Sequence, residues 1–334
     1  LCPYNIEVHL HNLPMLSRRH LRIKVMQTLY AHFQTVDTPV ILSEKKLVAN
    51  IDSIYDLYIY LLSALLETTD IARNLMTDAR LKFLPTQEEI NPNTRFIDNL
   101  FIKQLDANRD LRKHINRLKI NWADDKDLFR RLFINFRETD SYINYMNSPE
   151  SGYKEDKEII VNLLTTALLA SDPFVSLFEE KNIYWTDDMD TAVMMVLKTV
   201  KKWSKSTDEF QTLPPLLVSP DEEGDDLIQD FVLKLFRKTL INSDEYAVLI
   251  AKYADNWEFD RIAILDVILF KMALAEFMEF PSIPVKVTIN EYIEISKEYS
   301  TPKSRQFING LLDKIAVDLK KEGKINKMGR GLIE

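Results

Sequence analysis

Arg18, Arg19, Arg22 and Lys24 place four cations in one seven-residue stretch that contains no acid. Arg18 and Arg22 stand one helical turn apart with Arg19 adjacent, so on a helix they would form a patch able to neutralise phosphates. Arginine can also stack on, or hydrogen-bond to, the unpaired bases of single-stranded RNA. His20 and Tyr30 could add stacking or hydrogen bonds, although Tyr30 is equally suited to packing. Taken alone, a basic helix face of this size is more often just solvated surface.

Other chemistry is poorly supplied. The histidines are His9, His11, His20, His32 and His114, and no two have the i,i+4 spacing of a helical metalloprotease motif. His9 and His11 could touch one metal, whereas His114, among Arg109, Arg112, Lys113 and Arg117, reads as part of a solvated basic face. Cys2 is the single cysteine, which excludes a disulfide framework and a cysteine-based zinc site. The six glycines, Gly152, Gly224, Gly310, Gly323, Gly329 and Gly331, build neither a phosphate loop nor a dinucleotide fingerprint. The acidic groups at Asp187, Asp188 and Asp190, and from Asp221 to Asp226, lack calcium-loop spacing. No nucleophile is organised with a base. The reading is therefore a non-enzyme with no metal and no cofactor.

The elements that must position the cations are helices. Leu21, Val25, Leu29 and Phe33 recur every fourth residue, a buried stripe of one helix that Ser17 would cap. Ile54 to Met76 predicts a strongly apolar helix or hairpin, interrupted near Thr68, Thr69 and Asp70. Helical patterns resume over 96–118 and 127–146, then break at Asn147, Ser148, Pro149 and Gly152. Leu163, Leu168, Ser171, Asp172, Leu177, Trp185 and Asp188 have equally spaced counterparts in Leu235, Leu240, Ser243, Asp244, Leu249, Trp257 and Asp260. That spacing suggests a repeated unit: a helix, a Ser/Asp-capped turn, a second helix, and a Trp plugging the next. Residues 257–280 form a helix apolar nearly all round, hence central, which Pro281 and Pro284 end. Another helix starts near Val287. Thr301 and Pro302 supply a cap and first turn for the last one.

Composition fits an ordinary cytosolic chain: 46% apolar, 28% charged, net charge −8. That net charge argues against a generally basic nucleic-acid binder, but it is unevenly spread. Residues 16–34 carry +4, residues 314–334 carry +3, and 35–313 carry −14. The longest nearly apolar run, Leu57 to Leu66, is too short to span a bilayer, and no secretory signal is visible. The reading is a cytoplasmic protein without a membrane partner.

At this point the residues carry a resemblance. The run from Ser17 to Ala31, Ser-Arg-Arg-His-Leu-Arg-Ile-Lys-Val-Met-Gln-Thr-Leu-Tyr-Ala, resembles the arginine-rich opening of the NusB family of bacterial transcription antitermination factors. Two further stretches are similar to that family's most recognisable motifs. These are Pro284 to Tyr299, with Asn290 and Glu291, and Ser304 to Lys314, with Asn309 and Gly310. The apolar helix ending in Glu276 is similar to the preceding family segment. The resemblance implies an all-α protein of two helical bundles. It would bind boxA-like single-stranded RNA of ribosomal leader transcripts together with NusE, the small-subunit ribosomal protein, inside an antitermination complex on RNA polymerase. Carried over, RNA contacts fall on Arg18, Arg19 and Arg22, with His20 in place of a family arginine and Lys24 beside them. Phe307 matches a position near the RNA, and Lys303 replaces a family acid. Tyr30 and Asp266 match the NusE-facing surface. Asn290, Glu291, Asn309 and Gly310 are motif positions, read as helix starts and close packing.

The expected organisation is a leader over 1–15, a basic helix over 16–35 and a helical insertion over 36–224. A C-terminal bundle over 225–320 and a basic tail over 321–334 follow. Replacing Arg18, Arg19 and Arg22 by Ala is expected to weaken RNA binding without unfolding the protein. The alternative is a helical protein-interaction scaffold that has lost RNA binding.

Overall fold

The computed structural model describes residues 16–35, 37–217, 227–253, 263–302 and 304–332. The leader with Cys2, His9 and His11, the linker glycine Gly224, the expected plug Trp257, and Lys303 lie outside the described residues. Every regular element among the described residues is helical, as the sequence predicts, and no single helix there is long and apolar enough to cross a membrane.

The chain divides into two compact units. One comprises Asp52–Leu216; the other joins Leu16–Ile51 to Leu217–Glu334. The first boundary falls inside a helix rather than at residue 35, and the second falls within the linker expected from Pro214, Pro215 and Pro220.

α1 (Arg18–Gln34) is capped by Ser17, whose hydroxyl accepts from the His20 amide at 3.2 Å. α2 (Val40–Arg80) runs without interruption. The expected break fails because Thr68 and Thr69 turn their hydroxyls back onto the carbonyls of Ala64 and Leu65, which keeps both polar groups satisfied inside a helix.

The Asp52–Leu216 unit adds α3 (Gln87–Ile90), α4 (Leu100–Ala107), α5 (Arg109–Leu118), α6 (Lys126–Arg137), α7 (Asp140–Asn147), α8 (Tyr153–Asn162), α9 (Asp172–Lys181) and α10 (Trp185–Lys202). Its core is aromatic. Trp122 meets Phe129 at 5.0 Å and Tyr60 at 5.7 Å, and its indole N–H donates to Ser63 at 2.9 Å. A second cluster gathers Phe133 and Tyr142 around Phe96. Rings packed edge to face contribute beyond their buried area. Asp156, buried, accepts from the Leu100 amide and the Tyr145 hydroxyl, tying α4, α7 and α8 together. His114 is half-buried against Tyr55 rather than on an open basic face.

The other unit adds α11 (Lys234–Ile241), α12 (Ser243–Tyr253), α13 (Ile264–Glu279), α14 (Val285–Tyr299) and α15 (Ser304–Lys321). α13 is its centre, packed by α1, α11, α12, α14 and α15, and Ile268, Phe270, Met272, Leu274 and Phe277 are buried on all its sides. The first turns of α2 belong here: Leu47 and Ile51 are buried, and Glu44 holds Arg237 of α11 by two hydrogen bonds of 2.6 and 2.8 Å.

Both expected helix–turn–helix copies occur, at α8–α9 and α11–α12. The serines do not cap as proposed: Ser171 makes no side-chain cap bond, and Ser243 accepts from Lys271 instead. Trp185 opens α10, buried, donating to the Ser53 carbonyl. α15 begins at Ser304, after a turn in which the Ser304 amide bonds the Thr301 carbonyl.

The basic tail is not free. Lys327 donates to the carbonyls of Glu276 and Phe280, and the Met328 amide donates to the Pro281 carbonyl. A Cβ at Gly331 would stand 1.9 Å from that same Pro281 oxygen. The segment is a strap laid across the end of α13.

Candidate functional site

α1 places its cations in three different environments. Along it, Leu21, Lys24, Val25, Thr28 and Leu29 fall at helical i, i+3, i+4, i+7 and i+8 positions, and all five are buried. Lys24 therefore lies on the packed stripe and is fully buried, so it does not widen a surface patch. Only its position relative to the leucines, not its charge, predicts this.

Arg22 is also inside. Its guanidinium meets the carboxylate of Glu276 on α13 with bonds of 2.8 and 2.7 Å, a two-pronged pair with both side chains buried. Glu276 accepts as well from Thr288 at 2.8 Å and from the Tyr292 hydroxyl at 3.2 Å, both on α14. Burial opposes the charge on Arg22, but the Glu276 carboxylate outweighs it and raises the arginine pKa above its ordinary value. Burial, then the charge on Glu276, pushes the Tyr292 phenol well above the usual tyrosine value, so it stays a donor. The Phe231 ring lies 5.2 Å from the Arg22 guanidinium and 5.5 Å from that of Arg18.

Arg19 occupies the middle ground. It makes a second two-pronged pair, with Glu291 of α14, at 2.9 and 2.8 Å. Its side chain remains 41% exposed against 20% for Glu291, so solvent reaches this pair. The hydrogen bond to Glu291 raises the Arg19 pKa, and Glu294 and Glu298 of the same helix add to it. Glu291 also stands 3.6 Å from Arg22. Arg18 is exposed, with no carboxylate paired to it among the described residues.

The exposed end of the site is thus Arg18 and the outer edge of Arg19, with His20 half-buried beside them, at the start of α1, where Ser17 already takes the His20 amide. A helix N-terminus carries partial positive charge and unsatisfied N–H groups. Together these can take a phosphate, with Phe231 stacked beneath the arginines.

The remaining expected site residues are elsewhere. Tyr30 lies ~18 Å further along α1, at 1.5 Å per residue, and is 40% exposed. Asp266 is buried in the first turn of α13 and accepts from Ser304 at 2.6 Å, so it does not face outward. Phe307 is buried, its ring 5.2 Å from Phe270. Asn290, Asn309 and Gly310 are exposed in the middle of α14 and α15. They are neither helix starts nor packing positions, since a Cβ on Gly310 would meet nothing within 4 Å. Glu276, Thr288, Tyr292 and Phe231 were not anticipated as parts of the site. The local signal for two of them is the i,i+4 spacing of Thr288 and Tyr292, which puts both hydroxyls on one side of α14.

A model described as "NusB family" matches residues 191–317, from α10 into α15. A curated relative from Salinibacter ruber, named transcription antitermination protein NusB, is 47% identical over 126 residues, which are 38% of this chain and 78% of the relative. A protein of the same name from Chloroherpeton thalassium is 42% identical over 118 residues, 35% of this chain and 56% of that one. Another, from Koribacter versatilis, is 42% identical over 97 residues, 29% of this chain and 66% of that one. No solved structure matches the chain.

Proposed function

The chain belongs to the NusB family, and from that premise we propose that it is a transcription antitermination factor, a cytoplasmic RNA-binding protein rather than an enzyme. The observation that carries the RNA reading is the start of α1, where exposed Arg18 and half-exposed Arg19 flank a helix N-terminus on a chain of net charge −8. Backbone phosphates supply most of the affinity at such a site, with a marked salt dependence. The RNA we assign is single-stranded and boxA-like, with bases stacking on exposed arginine planes.

In this reading Arg18 makes the direct contact and Arg19 exchanges Glu291 for phosphate. Arg22 is a positioning residue that holds the start of α1 against α13 and α14. NusE is the assigned partner, and the RNA polymerase antitermination complex the setting. The surface that suits NusE is apolar: Tyr30 and Phe33 at the end of α1, with Val40, Ile41 and Leu42 at the start of α2, all 37–63% exposed. Exposed apolar side chains gathered at one corner mark protein contacts.

The test is fluorescence anisotropy with a boxA-like RNA over a salt series. Arg18→Ala and Arg19→Ala should each weaken binding and each lower the salt slope by about 1. The second reading, a protein-interaction scaffold, is favoured by one observation: Arg19 and Arg22 already have carboxylate partners. Unchanged affinity and slope in both variants would select it.

A further inference from the structure

The turn that follows α2 carries the most exposed apolar side chains of the Asp52–Leu216 unit. Leu81 is 78%, Phe83 98% and Leu84 81% exposed. Most other aromatic rings of this unit are packed inside it, in the Trp122 and Phe96 clusters among others, with Phe210 at 63% the other strongly exposed phenylalanine. A solvent-facing phenylalanine between two leucines contributes nothing to that core, and clustered apolar exposure of this kind marks a contact surface.

Beside the turn lies a cavity of about 1010 Å³, whose walls include Leu75, Met76, Phe133, Tyr142, Ile143 and Met146. Lys82 and Thr86 also line it, so the protruding turn forms one edge of the opening. Phe83 and Leu84 do not fill this cavity, as their exposure shows. Knob and hole therefore sit next to one another on a single unit.

The charges around the opening decide what fits. Asp78 and Glu88 stand on it with Arg130 and Arg137, and all four are exposed. A rim of one sign suits a partner of the opposite sign. A rim that carries both can meet its own copy across a two-fold axis, where each patch contacts the same patch of the other subunit.

We propose that this unit is a dimerisation module, in which the Phe83 turn of one chain inserts into the cavity of a second copy, and the reverse. A phenylalanine side chain alone buries ~150–250 Å². The wall it covers counts about equally, two leucines add to it, and the exchange is made twice. The total exceeds the roughly 1,000 Å² expected of a biological interface.

The experiment is sedimentation velocity on the full chain at high micromolar concentration. Wild type should sediment as a dimer and Phe83→Asp as a monomer. Phe83 touches no core, so the variant should keep its circular dichroism and unfolding midpoint. A second measurement mixes two single-cysteine chains in a Cys2→Ser background, one Phe83→Cys and the other Met146→Cys. Oxidation should yield the mixed covalent dimer. A monomeric wild type overturns the proposal, as does a dimer indifferent to Phe83→Asp, or mixed chains that do not cross-link. A monomeric chain that loses a boxA-like RNA or NusE on Phe83→Asp also overturns it and assigns the surface to that ligand.

Discussion

Arg22 and Glu276 face each other across 254 positions of sequence with two hydrogen bonds of 2.8 and 2.7 Å, both side chains buried. Glu276 takes two more donors from α14, so one carboxylate joins α1, α13 and α14. Removing one member of a buried pair leaves the other charge uncompensated, at a cost of roughly 3–5 kcal/mol. Arg22→Ala and Glu276→Ala should each lower stability by about that amount, as read by denaturant unfolding. The double variant Arg22→Met with Glu276→Leu should recover much of the loss. Single variants of wild-type stability would refute this account. The buried pair argues against the sequence expectation that Arg22 can be replaced without cost to the fold, so loss of RNA binding in that variant would report on the fold.

In the proposed function, Glu291 would compete with RNA for Arg19. A solvent-reached ion pair contributes only ~0–1 kcal/mol, so phosphate can displace it. Glu291→Gln should tighten binding of a boxA-like RNA by up to about five-fold and steepen its salt dependence. A looser complex would mean that Glu291 positions Arg19 for RNA rather than withholding it.

Gly310 sits inside α15, exposed, with open space where a Cβ would be. Glycine within a helix is less favourable than alanine by roughly 0.5–1 kcal/mol. Gly310→Ala should therefore raise stability by that amount in chemical denaturation. If it also weakens RNA or NusE binding, the glycine serves close approach of a ligand. Destabilisation would contradict the exposed placement.

Lys327 loses water as the strap docks, and burial lowers its pKa from 10.5 to about 8. Across that interval the unfolded chain keeps a proton that the folded protein has released, so stability rises with pH. Below about 8 both states are protonated and the gain is absent. With allowance for solvent screening of a half-exposed ammonium, about 1–2 kcal/mol accumulates. The stability difference between wild type and Lys327→Met should grow by this much from neutral pH toward the upper end of the window. A difference independent of pH would show that the ammonium is hydrated.

Local patterns were readable and distant partners were not. The buried face of α1, its Ser17 cap and the central, largely apolar α13 follow from local pattern alone. Lys24 falls on the same leucine stripe, and that position outweighs the exposure its charge alone would suggest. Arg22 was not: its partner lies 254 residues away, and no local rule pairs them. α2 deceived because threonines suggest a turn, while their hydroxyls can equally bond the preceding turn of the same helix. The family resemblance implies ligand-facing roles for Asp266 and Phe307, yet here Asp266 accepts from Ser304 and Phe307 packs on Phe270, both inside the bundle.

The strap also fixes when the end of α13 can be sealed. The carbonyl of Phe280 is closed by a lysine 47 residues downstream. At ~5–20 residues per second of synthesis, the end of the central helix waits roughly 2–10 s before its cap exists. During translation that helix must fray or borrow water, and the seal arrives as a late, separate event. Loss of the strap would leave the carbonyls of Glu276, Phe280 and Pro281 to water, an open helix end that proteases could tell from the finished fold.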